Sequence, residues 1–163
     1  MNYVVNKKEL LLELENEFNS WKKKAGFDAS LEQLDEIFFI KDYILASRFV
    51  SPKISRMICG RIRDSFNGWI QQIHTWLIPA PYSIISTSES QLFNDKEKEE
   101  LNVLLREFMA FVSQNIIIGL TKDKKKEAEF VDASILIWKK HLSSLIKYSE
   151  KIQLYWKSGI KKE

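Results

Sequence analysis

The sequence has few of the residues that interrupt or cross-link a chain. Among its 163 residues are 5 glycines, 3 prolines and 1 cysteine. Because glycine and proline mark most turns, their scarcity predicts long regular elements joined by few connections. The single Cys59 cannot form an intramolecular disulfide, and no cysteine and histidine cluster has the spacing of a zinc site. We therefore expect a reducing compartment and no bound metal.

Sequence motifs of common enzymes are also missing. There is no glycine-rich phosphate loop, no Gly-x-Ser-x-Gly elbow and no His-Glu-x-x-His pair. A di-iron site in a helical bundle needs Glu-x-x-His, but Gln71 precedes His74 and Trp138 precedes His141 at that spacing. Cys59 borders an apolar helix face and is predicted to be a core residue. These motifs identify no catalytic residue and no cofactor, which favours a non-enzymatic protein and leaves an enzyme as an alternative.

Signals for a membrane or for secretion are not recognisable. The first residues become acidic without an apolar segment of the secretory type, and the apolar run 116–118 ends at Gly119. A cytoplasmic protein with no membrane partner is predicted. The net charge of +3 is small, and only five of the 25 basic residues are arginine, which does not favour a dedicated nucleic-acid binder.

Apolar residues recur at helical spacing through most of the chain, whereas strand-like alternation is not found. Capping boxes are predicted where Asn6 precedes Glu9, where Ser30 precedes Gln33, and at residues 94–97. Proline at 79 and 81 ends the third helix. The pattern predicts an all-α, single-domain bundle of about five helices with a long last helix. The predicted helices span residues 7–25, 31–50, 52–78, 95–120 and 124–158.

Several polar residues fall within or beside predicted apolar faces. They are Asp35, Asp42, Arg56, Arg63, His74, Asn115 and His141. A buried carboxylate needs a cation nearby, so the two aspartates would meet the arginines or histidines if they are buried. A structural ion-pair network, a subunit interface, an Asp and His site able to move a proton or hold a ligand, and plain solvent exposure all fit this pattern.

Aromatic and aliphatic residues are more abundant than one core stripe requires. Five tryptophans, at 21, 69, 76, 138 and 156, lie in or beside apolar stripes. In the predicted second helix, Ile37, Ile40 and Ile44 widen the apolar surface beyond one face, as in a central or covered helix. The last helix is long enough for its end, with Tyr155 and Trp156, to project and pair. Core packing and a homo-oligomer, with a dimer favoured, are both consistent with these features.

Basic residues cluster near predicted helix ends and on the third helix. Lysines near a helix C-terminus stabilise the helix dipole, which is a sufficient reason for some of them. A phosphate-binding face for nucleic acid is the alternative. Its candidate contacts are Arg56, Arg61, Arg63, Lys122, Lys124, Lys125 and Lys126.

Two segments in the middle of the chain are distinctive: Phe66-Asn67-Gly68-Trp69, and Trp76-Leu77-Ile78-Pro79 with the capped helix that follows. Together with the length and the lysine-rich composition, they resemble an uncharacterised helical protein family of archaea. The resemblance implies an archaeal cytoplasmic helical protein and carries no catalytic motif. Three functions therefore stand as hypotheses: a non-enzymatic interaction or assembly protein, a nucleic-acid-associated protein, and a ligand-binding or enzymatic bundle around the Asp and His residues.

Overall fold

The computed structural model describes residues 6–160, and all regular secondary structure in that range is α-helical. The predicted all-α class is confirmed, and the last helix is long as predicted. The predicted number of five helices is wrong, because seven occur within the described residues. They are α1 (Lys7–Ala25), α2 (Leu31–Phe38), α3 (Ile40–Ser47), α4 (Ile54–Leu77), α5 (Ile84–Ser90), α6 (Asp95–Thr121) and α7 (Lys124–Ile160).

Helix ends follow the local chemistry of their caps. The Asn6 side chain accepts a hydrogen bond from Lys8 N at 3.0 Å, and Gly26 ends α1 at a φ of 74°. Ser30 forms the predicted reciprocal capping box at the start of α2. The predicted box at residues 94–97 is also present, with reciprocal distances of 2.9 and 3.0 Å. These caps satisfy backbone groups that the helices leave unpaired, so they fix where the helices begin.

The segment predicted as one helix over 31–50 is broken at Phe39. This residue has a φ of 55°, and its N–H donates to Asp35 O at 2.8 Å, which closes α2. The Asp35 carboxylate then accepts from Lys41 N at 2.7 Å in the first turn of α3. Arg61 Nε donates to Phe38 O at 2.8 Å and so satisfies a carbonyl at the end of α2. Side-chain bonds therefore replace the glycine or proline that normally marks such a break.

A substitution at the break should increase stability. Phe39 is 55% exposed and occupies a left-handed conformation that costs an L side chain about 1 kcal/mol or more. Phe39→Gly is therefore expected to raise the free energy of unfolding by about 0.5–1 kcal/mol in urea denaturation. Tyr43→Gly is the matched control, because Tyr43 is 45% exposed inside α3, where glycine costs about 1 kcal/mol. Destabilisation of equal size by both changes would contradict this account of the break.

The described chain divides into two compact units. Unit 1 comprises residues 6–65 and 112–136, and unit 2 comprises 66–111 and 137–160. Helices α4, α6 and α7 each contribute one part to each unit. The prediction of a single domain stays a prediction.

Unit 1 is organised around α1, α2 and α3. Its core includes Leu14, Phe18, Leu34, Phe38, Ile44, Ile58, Ile62 and Val131, each no more than 1% exposed. Asp132 of α7 accepts hydrogen bonds from Asp28 N and Ala29 N at 2.8–3.0 Å. The loop between α1 and α2 is therefore tied to α7 by backbone groups that a loop would otherwise leave to solvent.

Unit 2 is centred on aromatic side chains. Phe66 packs against Phe108 and Phe111, with ring centroids 4.9 and 4.7 Å apart, and against Trp138 at 6.2 Å. Further along, Trp76, Phe93 and Tyr148 form a second group of ring contacts. Edge-to-face and tilted contacts of this kind add to the stability that burial alone supplies.

Among the described residues one helix, α6, is long and apolar enough to cross a membrane by length and composition. Its most apolar 18-residue window has a mean hydropathy of 1.5, and 39% of that window is buried. Core helices of soluble proteins meet the same two criteria, so this property alone is weak evidence. The cytoplasmic location and the lack of a membrane partner stay predictions.

Candidate functional site

Unit 1 contains a buried carboxylate that the sequence did not single out. The Glu127 side chain is 1% exposed, and its Oε2 lies 3.0 Å from Lys124 Nζ. Arg56 approaches from α4, with its Nε 3.9 Å from Glu127 Oε1. Asn115 Oδ1 accepts a hydrogen bond from Arg56 Nη1 at 3.2 Å. Two of the predicted polar residues, Arg56 and Asn115, therefore contact each other, and Arg56 also approaches this glutamate.

Two cations lie near the Glu127 carboxylate, but one of its oxygens has no hydrogen-bond partner among the described residues. Its Oε1 accepts no hydrogen bond from the described residues, so the buried charge is held by two cations and one direct bond. Arg56 fits beside Gly119, where a Cβ would lie 3.0 Å from the guanidinium Nη2. Glycine at 119 thus leaves the space that the arginine occupies. Burial of a carboxylate with incomplete hydrogen bonding costs stability, and the two nearby cations offset part of that cost.

Cys59 lies beside the same cluster. It is fully buried, as predicted for a core residue, and its Sγ lies 4.0 Å from Glu127 O. Burial, followed by the charge of Glu127, raises the pKa of the Cys59 thiol to about 12. The thiol therefore stays protonated and is a poor nucleophile at neutral pH.

In unit 2, α6 and α7 are joined by a series of polar pairs that we call the polar ladder. Glu107 pairs with Lys140 and with His141, whose Nε2 lies 2.7 Å from Glu107 Oε2. Tyr148 Oη donates to Glu100 at 2.5 Å. Lys151 Nζ donates to Glu97 at 2.6 Å. From one pair to the next, the residue number falls on α6 by the same amount as it rises on α7, as is expected for antiparallel helices.

The contacts of the polar ladder also shift the pKa values of its glutamates and of Tyr148. Hydrogen bonds from Lys140 and then from His141 hold the pKa of Glu107 below its usual value. The bond from Tyr148 lowers the pKa of Glu100. Burial, followed by the bond to Glu100, raises the pKa of Tyr148 well above its usual value. His141 and Tyr148 line an open groove of about 450 Å³, but each already holds a carboxylate, so the ladder chiefly fixes the register of the two helices.

The remaining members of the predicted polar cluster have other surroundings. Asp35 caps the start of α3, as described above, and lies on a different helix from Asp42 because the chain breaks at Phe39. Asp42 and His74 are exposed. Arg63 donates to the neighbouring Asp64 at 2.7 and 2.9 Å on the surface. The seven-residue spacing between the aspartates therefore does not place them on one face.

Most of the predicted nucleic-acid contacts have partners within the chain. Arg56 and Lys124 hold Glu127, Arg61 holds the end of α2, and Arg63 holds Asp64. Lys125 lies 3.8 Å from Glu129, and Lys126 lies 4.0 Å from Asp123. Lys122 is exposed. Local ion pairs of this kind reduce the charge that is available to phosphates, and the nucleic-acid hypothesis stays a prediction.

One sequence signal could have revealed the buried polar groups on α7. Glu127, Ser134, His141 and Tyr148 follow one another at intervals of seven, and all four are buried. Seven residues are close to two helical turns, so these positions share a face. The lysine-rich start of α7 suggests a solvated turn, so the sequence pattern predicts a buried position for His141 and not for Glu127. The acidic partners on α6 could be found only from the register between the helices.

The strongest candidate for a binding surface is the exposed α7 face, which comprises Lys139, Leu142, Ile146 and Glu150. Leu142 is 38% exposed and Ile146 is 48% exposed, and both line a groove of about 260 Å³ beside Trp69. Lys139 and Glu150 are exposed, and neither has an ion-pair partner among residues 6–160. A short apolar stripe is thus bounded by one free cation and one free anion.

In comparisons with known proteins, no protein-family model, no curated protein and no solved structure matches the chain.

Proposed function

We propose that this protein is a non-enzymatic helical interaction protein that forms a homodimer through the exposed α7 face. The observation that carries the proposal is the arrangement of Leu142 and Ile146 between the unpaired charges of Lys139 and Glu150. Exposed aliphatic side chains beside a tryptophan-lined groove are typical of protein interfaces.

Charge complementarity favours a second copy of this chain as the occupant. Lys139 and Glu150 are eleven residues apart on one helix face, about 16 Å along the axis. In an antiparallel pair related by a twofold axis between Leu142 and Ile146, each Lys139 meets Glu150 of the other copy. Contacts in a twofold dimer occur twice, so a surface that carries both charges complements itself.

The apolar part of the surface fits the same arrangement. With the twofold axis between them, Leu142 of one copy lies beside Ile146 of the other, over the groove that Trp69 borders. Burial of these partly exposed side chains supplies the driving force, and the flanking charges fix direction and register. A parallel pairing would place like charges together at both ends.

A charge exchange tests the proposal. Lys139→Glu or Glu150→Lys alone creates two like-charged pairs in the dimer, which should weaken dimerisation at least about tenfold. The double variant Lys139→Glu/Glu150→Lys restores both pairs and should return to within about threefold of the unmodified chain. Dissociation constants are measured by sedimentation equilibrium at low salt, where exposed charges are least screened.

Lys23→Glu is the matched control, because Lys23 is also an exposed lysine and it lies on α1. It changes the net charge as Lys139→Glu does and should leave dimerisation unchanged. Equal weakening by Lys23→Glu would point to a general charge effect and contradict the proposed interface. Failure of the double variant to recover would contradict the antiparallel pairing.

A further inference from the structure

A pocket of about 400 Å³ in unit 1 has features that the proposed dimer does not use. It lies where α1, the segment before α4 and the start of α7 meet. Trp21 borders it, and the charged and hydroxyl groups in its wall include Glu17, Lys24, Lys53, Ser55 and Lys124. This volume falls in the range of sites for small organic ligands.

The charge of the pocket is mainly positive. Lys24 and Lys53 are exposed at its wall, and neither has an ion-pair partner in the part of the chain that the structure describes. Lys124 adds a third ammonium group, and Glu17 is the one acidic residue among the lining side chains. The charge of Lys124 is shared with Glu127, so Lys24 and Lys53 supply the unpaired positive charge, which favours a ligand of negative charge.

Two long helices also begin at this pocket. Ile54 and Ser55 open α4, which has 24 residues, and Lys124 opens α7, which has 37. The positive end of each helix dipole therefore adds to the field of the lysines. The Ser55 hydroxyl accepts a hydrogen bond from Lys124 Nζ at 3.5 Å at the same end of the pocket.

Glu127 fixes the position of Lys124 at the wall of the pocket. Its buried Oε2 lies 3.0 Å from Lys124 Nζ, whereas its Oε1 has no hydrogen-bond donor among the described residues. A buried carboxylate without its full set of bonds costs stability. By fixing the ammonium group at the pocket wall, Glu127 acts as a positioning residue.

Trp21 gives the pocket an aromatic surface beside its charged groups. It packs against Phe18 and Phe27, with ring centroids 6.0 and 4.5 Å away, so the indole is held by aromatic neighbours. Its N–H is buried and has no acceptor within residues 6–160. A rigid indole next to a cationic patch suits a ligand with a planar group attached to an anionic one.

We propose that this pocket binds a phosphorylated small molecule with a planar organic group. The phosphates lie at Lys24, Lys53 and Lys124, near the starts of α4 and α7, and the planar group lies against Trp21. This site is separate from the dimer proposal, because it uses no residue of the exposed α7 face.

The test is calorimetric titration of the full chain with ADP and with pyrophosphate, without divalent cations and at constant ionic strength. Both probes should bind saturably, and ADP should bind more tightly because only ADP has a planar base. Lys53→Gln and Lys24→Gln should each weaken both probes about fivefold or more, since each removes one charged contact.

Lys23→Gln is the matched control, because it removes a charge from the same helix as Lys24 at a position that does not line the pocket. Far-ultraviolet circular dichroism checks that each variant is folded. The proposal is overturned if neither probe binds at millimolar concentration, or if Lys24→Gln and Lys53→Gln bind as the unmodified chain does. Binding of long single-stranded nucleic acid without binding of ADP would also overturn it and favour a nucleic-acid partner.

ADP that binds no more tightly than pyrophosphate would contradict the role of Trp21. Titrating Glu150→Lys, the variant designed to weaken the dimer, separates the two proposals. That variant should still bind ADP and pyrophosphate. Loss of dimerisation with binding retained, or the reverse, therefore shows which of the two proposals has failed.

Discussion

Replacing Arg56 with methionine is expected to lower the free energy of unfolding by about 3 kcal/mol. The reason is that Glu127, with a side chain 1% exposed, would keep its charge in the core with only Lys124 beside it. Methionine preserves much of the aliphatic stem, so the loss reports mainly on the charge. Urea denaturation at neutral pH and constant protein concentration measures the effect.

The companion variant Glu127→Gln should behave differently. It removes the buried charge itself, and Arg56 and Lys124 are 32% and 70% exposed, so water can solvate both cations. The expected loss is about 1 kcal/mol or less, and the double variant Arg56→Met/Glu127→Gln should be more stable than Arg56→Met alone. A larger loss for Glu127→Gln than for Arg56→Met would contradict this description of the cluster.

The second large effect is expected at the aromatic centre of unit 2. Phe66 is fully buried and its ring contacts Phe108, Phe111 and Trp138. Phe66→Ala removes those contacts and leaves a cavity, which should cost about 3–5 kcal/mol in denaturation experiments.

Phe49→Ala is the control for the same chemical change at a surface position. Phe49 is 56% exposed, so its truncation should cost about 1 kcal/mol or less. Similar losses at residues 49 and 66 would show that the aromatic cluster does not stabilise unit 2 as the ring contacts indicate.

Helical periodicity and caps made much of the fold predictable. Asn6, Ser30 and Asn94 cap the helices that their sequence context predicted. The break at Phe39 was not predictable from composition, because it depends on the Asp35 carboxylate and on Arg61, a residue more than twenty positions away. Tertiary bonds there override a helical pattern that contains no glycine or proline.

The polar contacts show the same division between local and long-range information. The helical periodicity of α7 predicted that His141 lies on an apolar face, and His141 is buried. Its contact with Glu107 depends on the register between α6 and α7, which the sequence pattern does not give. Arg56 and Asn115 were predicted as polar residues near apolar faces. Glu127, which Arg56 approaches, was not predicted to be buried because it follows a lysine-rich segment. Which helices pair, and in which register, depends on side-chain packing between them, and the hydrophobic periodicity of a single helix does not specify it.

Sedimentation equilibrium of the unmodified protein tests the central proposal most directly. The exposed α7 face predicts a particle of twice the 19.2 kDa chain mass at micromolar concentration and low salt. It also predicts that Glu150→Lys shifts the population toward the monomer and that adding Lys139→Glu reverses the shift. A monomer of 19.2 kDa at every concentration would contradict the account.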